Sequence, residues 1–278
     1  MLFSNVVFSA IESNELMRMY HTMRSSDFFF PGRKNNNSLP ESHLDLTNAA
    51  IVSKPETCRQ CEVFNKYLVY AFYGRPAFKF DPSREPGEPY PIFLVFSPDI
   101  QQHPAAIYPF DTGAFKHGIY GNAYTSDNLE DYALANNAQG VRVADVAKLI
   151  KLIWGNNKNY YNGDVPQNRM KTDKNVQLTD LDQNYLSVVY NKRYGQADSR
   201  AFTIEFIYEK CLPLESLQVI YLPNAISDEE TLKVFDKIQA ACGREVWVER
   251  LPAKYNGDND QLDVPFTAML KKEAEQFE

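Results

Sequence analysis

The sequence predicts one mixed α/β domain in which short strands and helices alternate with long loops. Three observations carry this prediction. Residues 67–73 (YLVYAFY), 91–96 (PIFLVF), 201–208 (AFTIEFIY) and 217–222 (LQVIYL) are aromatic and β-branched runs of strand length. Residues 141–154 space Val146, Leu149, Ile150 and Ile153 at helical intervals. Aromatic residues make up 13%, with 17 Tyr and 18 Phe, a bias toward strands and flat binding surfaces over a helical bundle.

From the N-terminus, residues 13–20 have a polar start and then Leu16, Met19 and Tyr20, a short helix or the approach to a strand. Residues 28–37 (FFFPGRKNNN) exclude regular structure through their Pro, Gly and Asn. The strands at 67–73 and 91–96 flank a Pro-rich connection at 81–89. The helix at 141–154 stops at Gly155. Residues 156–199 are polar and rich in Asn and Tyr, and a loop that long inside a compact domain is usually functional or mobile. Ser227, Asp228, Glu229 and Glu230 form a capping box that opens a helix to Cys242, with Gly243 as its stop. Residues 245–251 alternate and read as a half-exposed strand, and 265–278 as a surface helix.

A chain of 278 residues with 44% hydrophobic and 23% charged residues is ordinary for a soluble globular protein and ample for a sizeable core. The reading favours a single domain over 1–278 with insertions at about 81–140 and 156–199. A net charge of −7 gives no global pull toward nucleic acid, so such contact needs a local basic patch. No window approaches the ~18 apolar residues of a membrane span, and residues 1–7 lack the basic start and cleavage site of a signal peptide. The expectation is no membrane and a cytoplasmic location. Of the four cysteines, Cys58 and Cys61 form a lone CxxC, while Cys211 and Cys242 stand apart. With no second CxxC or HxxxH, reduced structural thiols are the favoured reading over half of a zinc site, and no metal is expected.

Glu205 is the most informative residue. It lies among Ile204, Phe206 and Ile207, so a buried strand would strip its carboxylate of water at a cost of several kcal/mol without a partner or ligand. A perturbed carboxylate in a cleft is a functional-site candidate. The plain alternative is a Glu pointing out of an edge strand, or paired with Arg200 or Arg193.

Three segments carry a resemblance. Tyr20-His21-Thr22 follows an apolar approach. Residues 70–78 (YAFYGRPAF) run a strand containing Tyr70 and Tyr73 into a turn that presents Arg75. Arg200 to Glu205 then supplies the carboxylate, shortly before Leu212-Pro213-Leu214. The order of His, aromatic strand with Arg, and late-strand Glu resembles ADP-ribosyltransferases, and more narrowly the DarT-type toxins that modify nucleic acid. The likeness covers about a sixth of the chain, and residues 81–140 match no part of it. Within that region 108–115 (YPFDTGAF) is distinctive but unassigned.

The resemblance implies an α+β fold with a mixed and antiparallel split β-sheet core and flanking helices. It also implies a transferase that takes ADP-ribose from NAD, its substrate, to a macromolecular acceptor, with RNA or DNA favoured over protein. Cleavage of the NAD glycosidic bond passes through an oxocarbenium-like ribose. On this reading Glu205 holds the ribose hydroxyls, stabilises the developing charge or takes the acceptor's proton. Arg75 neutralises the pyrophosphate or holds the acceptor. His21 and Thr22 hold the ribose or adenosine side, and Tyr73 or Tyr70 stacks on nicotinamide. Lys171, Lys192, Arg193 and Arg200 would favour a nucleic-acid acceptor. A toxin would also need an antitoxin or chaperone partner.

Structural alternatives stand beside these roles. A spacing of three prevents Tyr70 and Tyr73 from sharing one side of a regular strand, so one of them belongs to the core. The alternatives are that His21 fills a polar pocket, that Arg75 is a solvated turn residue, and that Asp111 and His117 are unrelated and form no acid–base pair. A non-catalytic nucleotide- or partner-binding module on the same fold is the second reading.

Overall fold

A computed structural model describes residues 19–24, 44–45, 50–51, 63–66, 68–75, 91–97, 104–120, 128–136, 146, 149–151, 153–164, 199–209, 212–224, 228–252 and 264–275. Among these the strands are β1 (Met19–Arg24), β2 (Leu44–Asp45), β3 (Ala50–Ile51), β4 (Val69–Tyr73), β5 (Pro91–Phe96) and β6 (Ala106–Tyr108). They continue with β7 (Ala135–Asn136), β8 (Glu205–Tyr208), β9 (Leu212–Pro213), β10 (Leu217–Pro223) and β11 (Trp247–Leu251). The α-helices are α1 (Thr112–Lys116), α2 (Asn157–Asn162), α3 (Asp228–Cys242) and α4 (Val264–Ala274).

Eight strands form one sheet in the order β11-β10-β5-β1-β4-β8-β6-β7, and β2-β3-β9 form a small second sheet. Pairing is antiparallel throughout except between β10 and β11, which run parallel. Parallel neighbours need a crossover, and α3 supplies it. The expected strand–helix–strand finish and the α+β class are therefore present. Pairing along the large sheet is uneven. β1 pairs with β5 along its whole length, from Met19 opposite Phe96 to Arg24 opposite Pro91. Its pairing with β4 covers only Met19 with Tyr73 and Tyr20 with Phe72.

Alternation divides the side chains between two faces. Ala71, Tyr73, Leu94, Phe96, Phe206 and Ile220 enter the main core, joined by Leu149, Ile150, Ile153 and Trp154 from the predicted helix. Phe93, Val95, Tyr221 and Leu251 take the opposite face and pack under Met269 of α4. Each buried side chain of this size contributes about 1.5–3 kcal/mol from lost water contact. α4 follows from that demand, because the face it covers would otherwise leave a hydrophobic half-sheet in water.

One reading is narrowed and two change. Residues 19–20, left open between a short helix and the approach to a strand, belong to the strand at Met19–Arg24, between two neighbours. Residues 156–163, expected as loop, hold α2: the Asn156 side chain accepts from Asn159 N, and Gly163 closes the helix at φ 73°. A Cβ at Gly163 would stand 2.8 Å from the Phe202 ring, so the stop also needs glycine for space. The strand expected over 201–208 is shorter, because Ser199–Ala201 forms a 3₁₀ turn and the ladder starts at Glu205. The Gly243 stop (φ 64°) is as read. Residues 28–37 and Ser227 lie outside the described residues.

Candidate functional site around Glu205

Glu205 opens β8, an interior strand between β4 and β6, and pairs with Phe72 on one side and Tyr108 on the other. It is 3% exposed. An edge position is thereby replaced by one hidden from water on both flanks. What offsets the desolvation is Thr112, whose backbone N–H donates to Glu205 Oε2 at 3.0 Å and whose hydroxyl donates to the same oxygen at 2.7 Å. Thr112 is the first residue of α1, where backbone N–H groups lack intrahelical partners. Asp111 Oδ1 takes the N–H of Ala114 at 2.8 Å, so two carboxylates share the start of this helix. A hydroxyl and an amide are thus partners of this carboxylate.

Around the carboxylate the setting is aromatic. Tyr108 lies across from Glu205, tilted against Phe64 at 5.9 Å between ring centroids. Burial first, then the charges of Glu130 and Glu205, pushes the Tyr108 hydroxyl up to about 12. It remains a neutral donor at any ordinary pH.

The aromatic pair of β4 separates as alternation requires. Tyr70 stands across from Ile207, in the row of alternate residues that includes Glu205, and is half-buried. Tyr73 enters the other face, wholly buried, and stacks on Phe206 with ring centroids 5.9 Å apart. The Tyr160 hydroxyl donates to Tyr73 O at 2.8 Å and accepts from Ile204 N at 3.0 Å, sealing the end of the β4–β8 ladder. Tyr73 is therefore on the side of the sheet away from Glu205.

Arg75 follows Gly74, whose φ of 74° turns the chain sharply. The guanidinium is inside the protein, 6% exposed, with Cζ 4.7 Å from the Phe202 ring centroid and 5.9 Å from that of Tyr161. Nη1 donates to Tyr161 O at 2.6 Å, and Nε has no hydrogen-bond partner. Among the described residues no carboxylate pairs with it. Burial pulls its pKa below the usual guanidinium value, opposed by Tyr160 and Tyr161. The side chain ties the start of the turn after β4 to α2 and does not stand open in a turn.

His21 and Thr22 lie on β1, across from Leu94 and Phe93, just past the last β1–β4 pair. By register Thr22 belongs to the row of Tyr20, Phe72 and Glu205, and His21 to the alternate row. β1 and β8 are two strand steps apart, roughly 10 Å. The fold therefore brings Glu205, Tyr70 and the Thr22 position to one side, while Tyr73 and Arg75 lie elsewhere.

Thr112 and Tyr108 are the partners that sequence reasoning missed, and both fall in the unassigned 108–115 segment. The available signal was Asp111 three residues before Ala114, a helix N-cap pattern. Asp111 and His117 are the two caps of α1, the former bound to Ala114 N and the latter exposed, so their spacing has a structural cause. Cys242 is buried, its thiol 3.1 Å from Leu214 O and its pKa raised by burial. Cys58, Cys61, Cys211, Lys171, Lys192 and Arg193 lie outside the described residues. Among those described, no group of three His, Cys, Asp or Glu is placed to hold a metal ion, and no helix is long and apolar enough to cross a membrane. Comparison with known proteins gives no match: no family model, no curated protein and no solved structure is significantly similar to the chain.

Proposed function

We propose that the chain is an ADP-ribosyltransferase, of the effector or toxin kind, moving ADP-ribose from NAD to a macromolecule, with nucleic acid favoured over protein. The observation that carries this reading is Glu205: a carboxylate hidden on an interior strand, in a sheet where the β1–β4 pairing covers only two residues and ends where His21 and Thr22 begin. In the transfer, the bond between ribose C1′ and the nicotinamide nitrogen breaks, and its electron pair neutralises the pyridinium. The acceptor's nucleophilic atom then bonds to C1′ and gives its proton to a base.

Glu205 is the group suited to stabilise the cationic sugar and to take that proton. Thr112 fixes one carboxylate oxygen by two donors, which sets the orientation of the other. Tyr70 is the tyrosine of β4 on the Glu205 side and the one suited to stack on nicotinamide; Tyr73 supports the strand from behind. Thr22, whose position lies on the Glu205 side, would meet the ribose or adenosine, and His21 holds the alternate position next to it on β1. Arg75 acts on this reading through the loop it anchors, and reaches phosphate only if that turn opens. A neighbouring antitoxin or chaperone would hold the activity in check.

A second reading has its own observation. Glu205 Oε2 already takes two donors and Arg75 is closed in by Phe202 and Tyr161, which suits a nucleotide- or partner-binding module without turnover. Purified protein incubated with isotopically labelled NAD and separated protein, RNA and DNA fractions distinguishes the two. Transfer predicts label in one fraction, with Glu205→Gln cutting the rate about 100-fold or more, the usual scale for a lost acid–base group. Labelling by E205Q at the wild-type rate rejects the catalytic role. Wild-type protein that neither binds nor consumes NAD leaves only a module for another nucleotide or partner.

A further inference from the structure

On the edge of the sheet remote from Glu205, β10, β11 and α4 enclose a cleft of about 530 Å³. Its floor and walls include Gln218, Arg244, Trp247, Glu249, Lys272 and Glu275. Trp247 is 63% exposed and opens the outermost strand. An indole offers 150–250 Å² of contact area when covered, so leaving one in water forgoes a large gain. Within binding sites, Trp is among the residues that most often serve as the anchor.

The indole is also held and polarised. Its Nε1–H donates to Glu249 Oε2 at 3.2 Å, two residues along the same side of the strand. Glu249 Oε1 meets Lys272 Nζ at 2.6 Å. A carboxylate on the indole N–H adds electron density to the ring and strengthens its pull on a cation. The hydrogen bond from Lys272, against some burial, holds the Glu249 carboxyl below the usual range, so it is charged at neutral pH.

The remaining groups say what kind of cation fits. Arg244 turns its donors back into the protein, Nε to Glu215 O at 3.0 Å and Nη2 to Leu217 O. Gln218 sits in the irregularity between Leu217 and Val219, its Oε1 buried without a hydrogen-bond partner. Glu249, Glu273 and Glu275 outnumber Arg244 and Lys272 by three to two. The cleft thus has carboxylates at its rim, cations whose donors are already engaged, and a flat aromatic wall. A planar group with several donors and a positive charge answers all three demands.

We propose that this cleft binds the guanidinium of an arginine, stacked on the free face of Trp247 with its N–H groups directed at the Glu249 edge. A guanidinium is planar, weakly hydrated and stacks on aromatic rings, whereas an ammonium is a compact, strongly hydrated point charge. A phosphate-bearing nucleotide would share the stacking but meet the carboxylates of Glu249 and Glu275. The guanidinium can belong to a free arginine derivative or to an arginine within a protein segment. The inference does not rest on the NAD reading, and E205Q should retain the binding.

Trp154 is fully buried, so a ligand-induced change in tryptophan emission reports on Trp247. The probes are Nα-acetyl-arginine amide, a blocked five-residue peptide with a central arginine, the lysine counterparts of both, and AMP. Saturable binding of an arginine probe is expected, with lysine probes several-fold weaker and AMP weaker still. Equal affinity of the two arginine probes points to a small molecule. A peptide preference of tenfold or more points to a protein segment. Followed by calorimetry, Trp247→Ala should weaken binding by about 3- to 30-fold, the range for a stacked cation from exposed to partly desolvated. Trp247→Phe should restore part of it, and Glu249→Gln should weaken it by several-fold. Because Trp247 is exposed, these variants keep the wild-type circular dichroism. No saturable response to either arginine probe, AMP binding ahead of arginine, or unchanged binding by W247A would each overturn the proposal.

Discussion

Replacing Thr112 by Val tests the contact on which the Glu205 environment rests. Valine keeps the shape of threonine and opens no cavity, so the change removes one hydroxyl. That hydroxyl lies 2.7 Å from a carboxylate oxygen inside the protein, while the Thr112 backbone N–H, at 3.0 Å, stays in place. A hydrogen bond to a charged group contributes about 1.5–3 kcal/mol net, and both residues are buried here. T112V should therefore lose about 1.5–3 kcal/mol, read as a lower urea midpoint with the slope unchanged. In an E205Q background the same change removes a bond to a neutral amide oxygen, worth about 0.5–1.5 kcal/mol. The cycle should close with a coupling of about 1 kcal/mol, although the two residues are 93 positions apart in sequence. If T112V falls within about 0.5 kcal/mol of wild type, or the two changes simply add, Thr112 does not hold the carboxylate. The account of how Glu205 tolerates burial would then be wrong.

Two further outcomes test the frame and its titration. Tyr160→Phe should cost about 1.5–4.5 kcal/mol in urea unfolding, because it leaves the buried Ile204 N–H without its partner, roughly 1–3 kcal/mol, and removes the bond to the Tyr73 carbonyl, about 0.5–1.5 kcal/mol; a loss under 1 kcal/mol would mean the ladder end is satisfied in another way. The Tyr108 hydroxyl, raised to about 12 when folded against about 10 when unfolded, contributes stability that is fully present below pH ~10 and is lost as pH rises toward 12. Tyr108→Phe should flatten part of that alkaline decline, and an unchanged decline would argue against a buried hydroxyl.

Much of the sheet was legible locally. β4, β5, β8 and β10 announce themselves as runs of Val, Ile, Tyr and Phe, and alternation alone foretold that Tyr70 and Tyr73 would part company. α3 has a glycine stop and a full amphipathic length. Shorter elements escaped notice for a physical reason. α1 and α2 span five and six residues, less than the length at which periodicity shows, and they exist through caps and packing. β6 has three residues and gains its order from β8, not from its own propensity.

The site divides along the same line. That the strand holding Glu205 would be buried follows from its neighbours, because a run of Phe and Ile must leave water, whereas the carboxylate is hidden only because β8 lies between two other strands. Which group would answer it does not follow. Thr112, 93 residues away, reaches the carboxylate only because β6 docks beside β8 and lifts the start of α1 over it. Arg75 shows the converse: its turn is written in Gly74 and Pro76, but its inward direction was set by Tyr161 and Phe202, which long-range packing delivers. Trp247 gave no signal beyond an alternating strand, since exposure is a property of the edge on which the strand finally rests. The chain by itself determined which segments leave water and on which beat their side chains alternate, because those depend on neighbours in sequence. Only the tertiary structure decided which distant donor meets which buried charge, because that depends on strand order and register, and a slip of one residue would send every side chain to the other face.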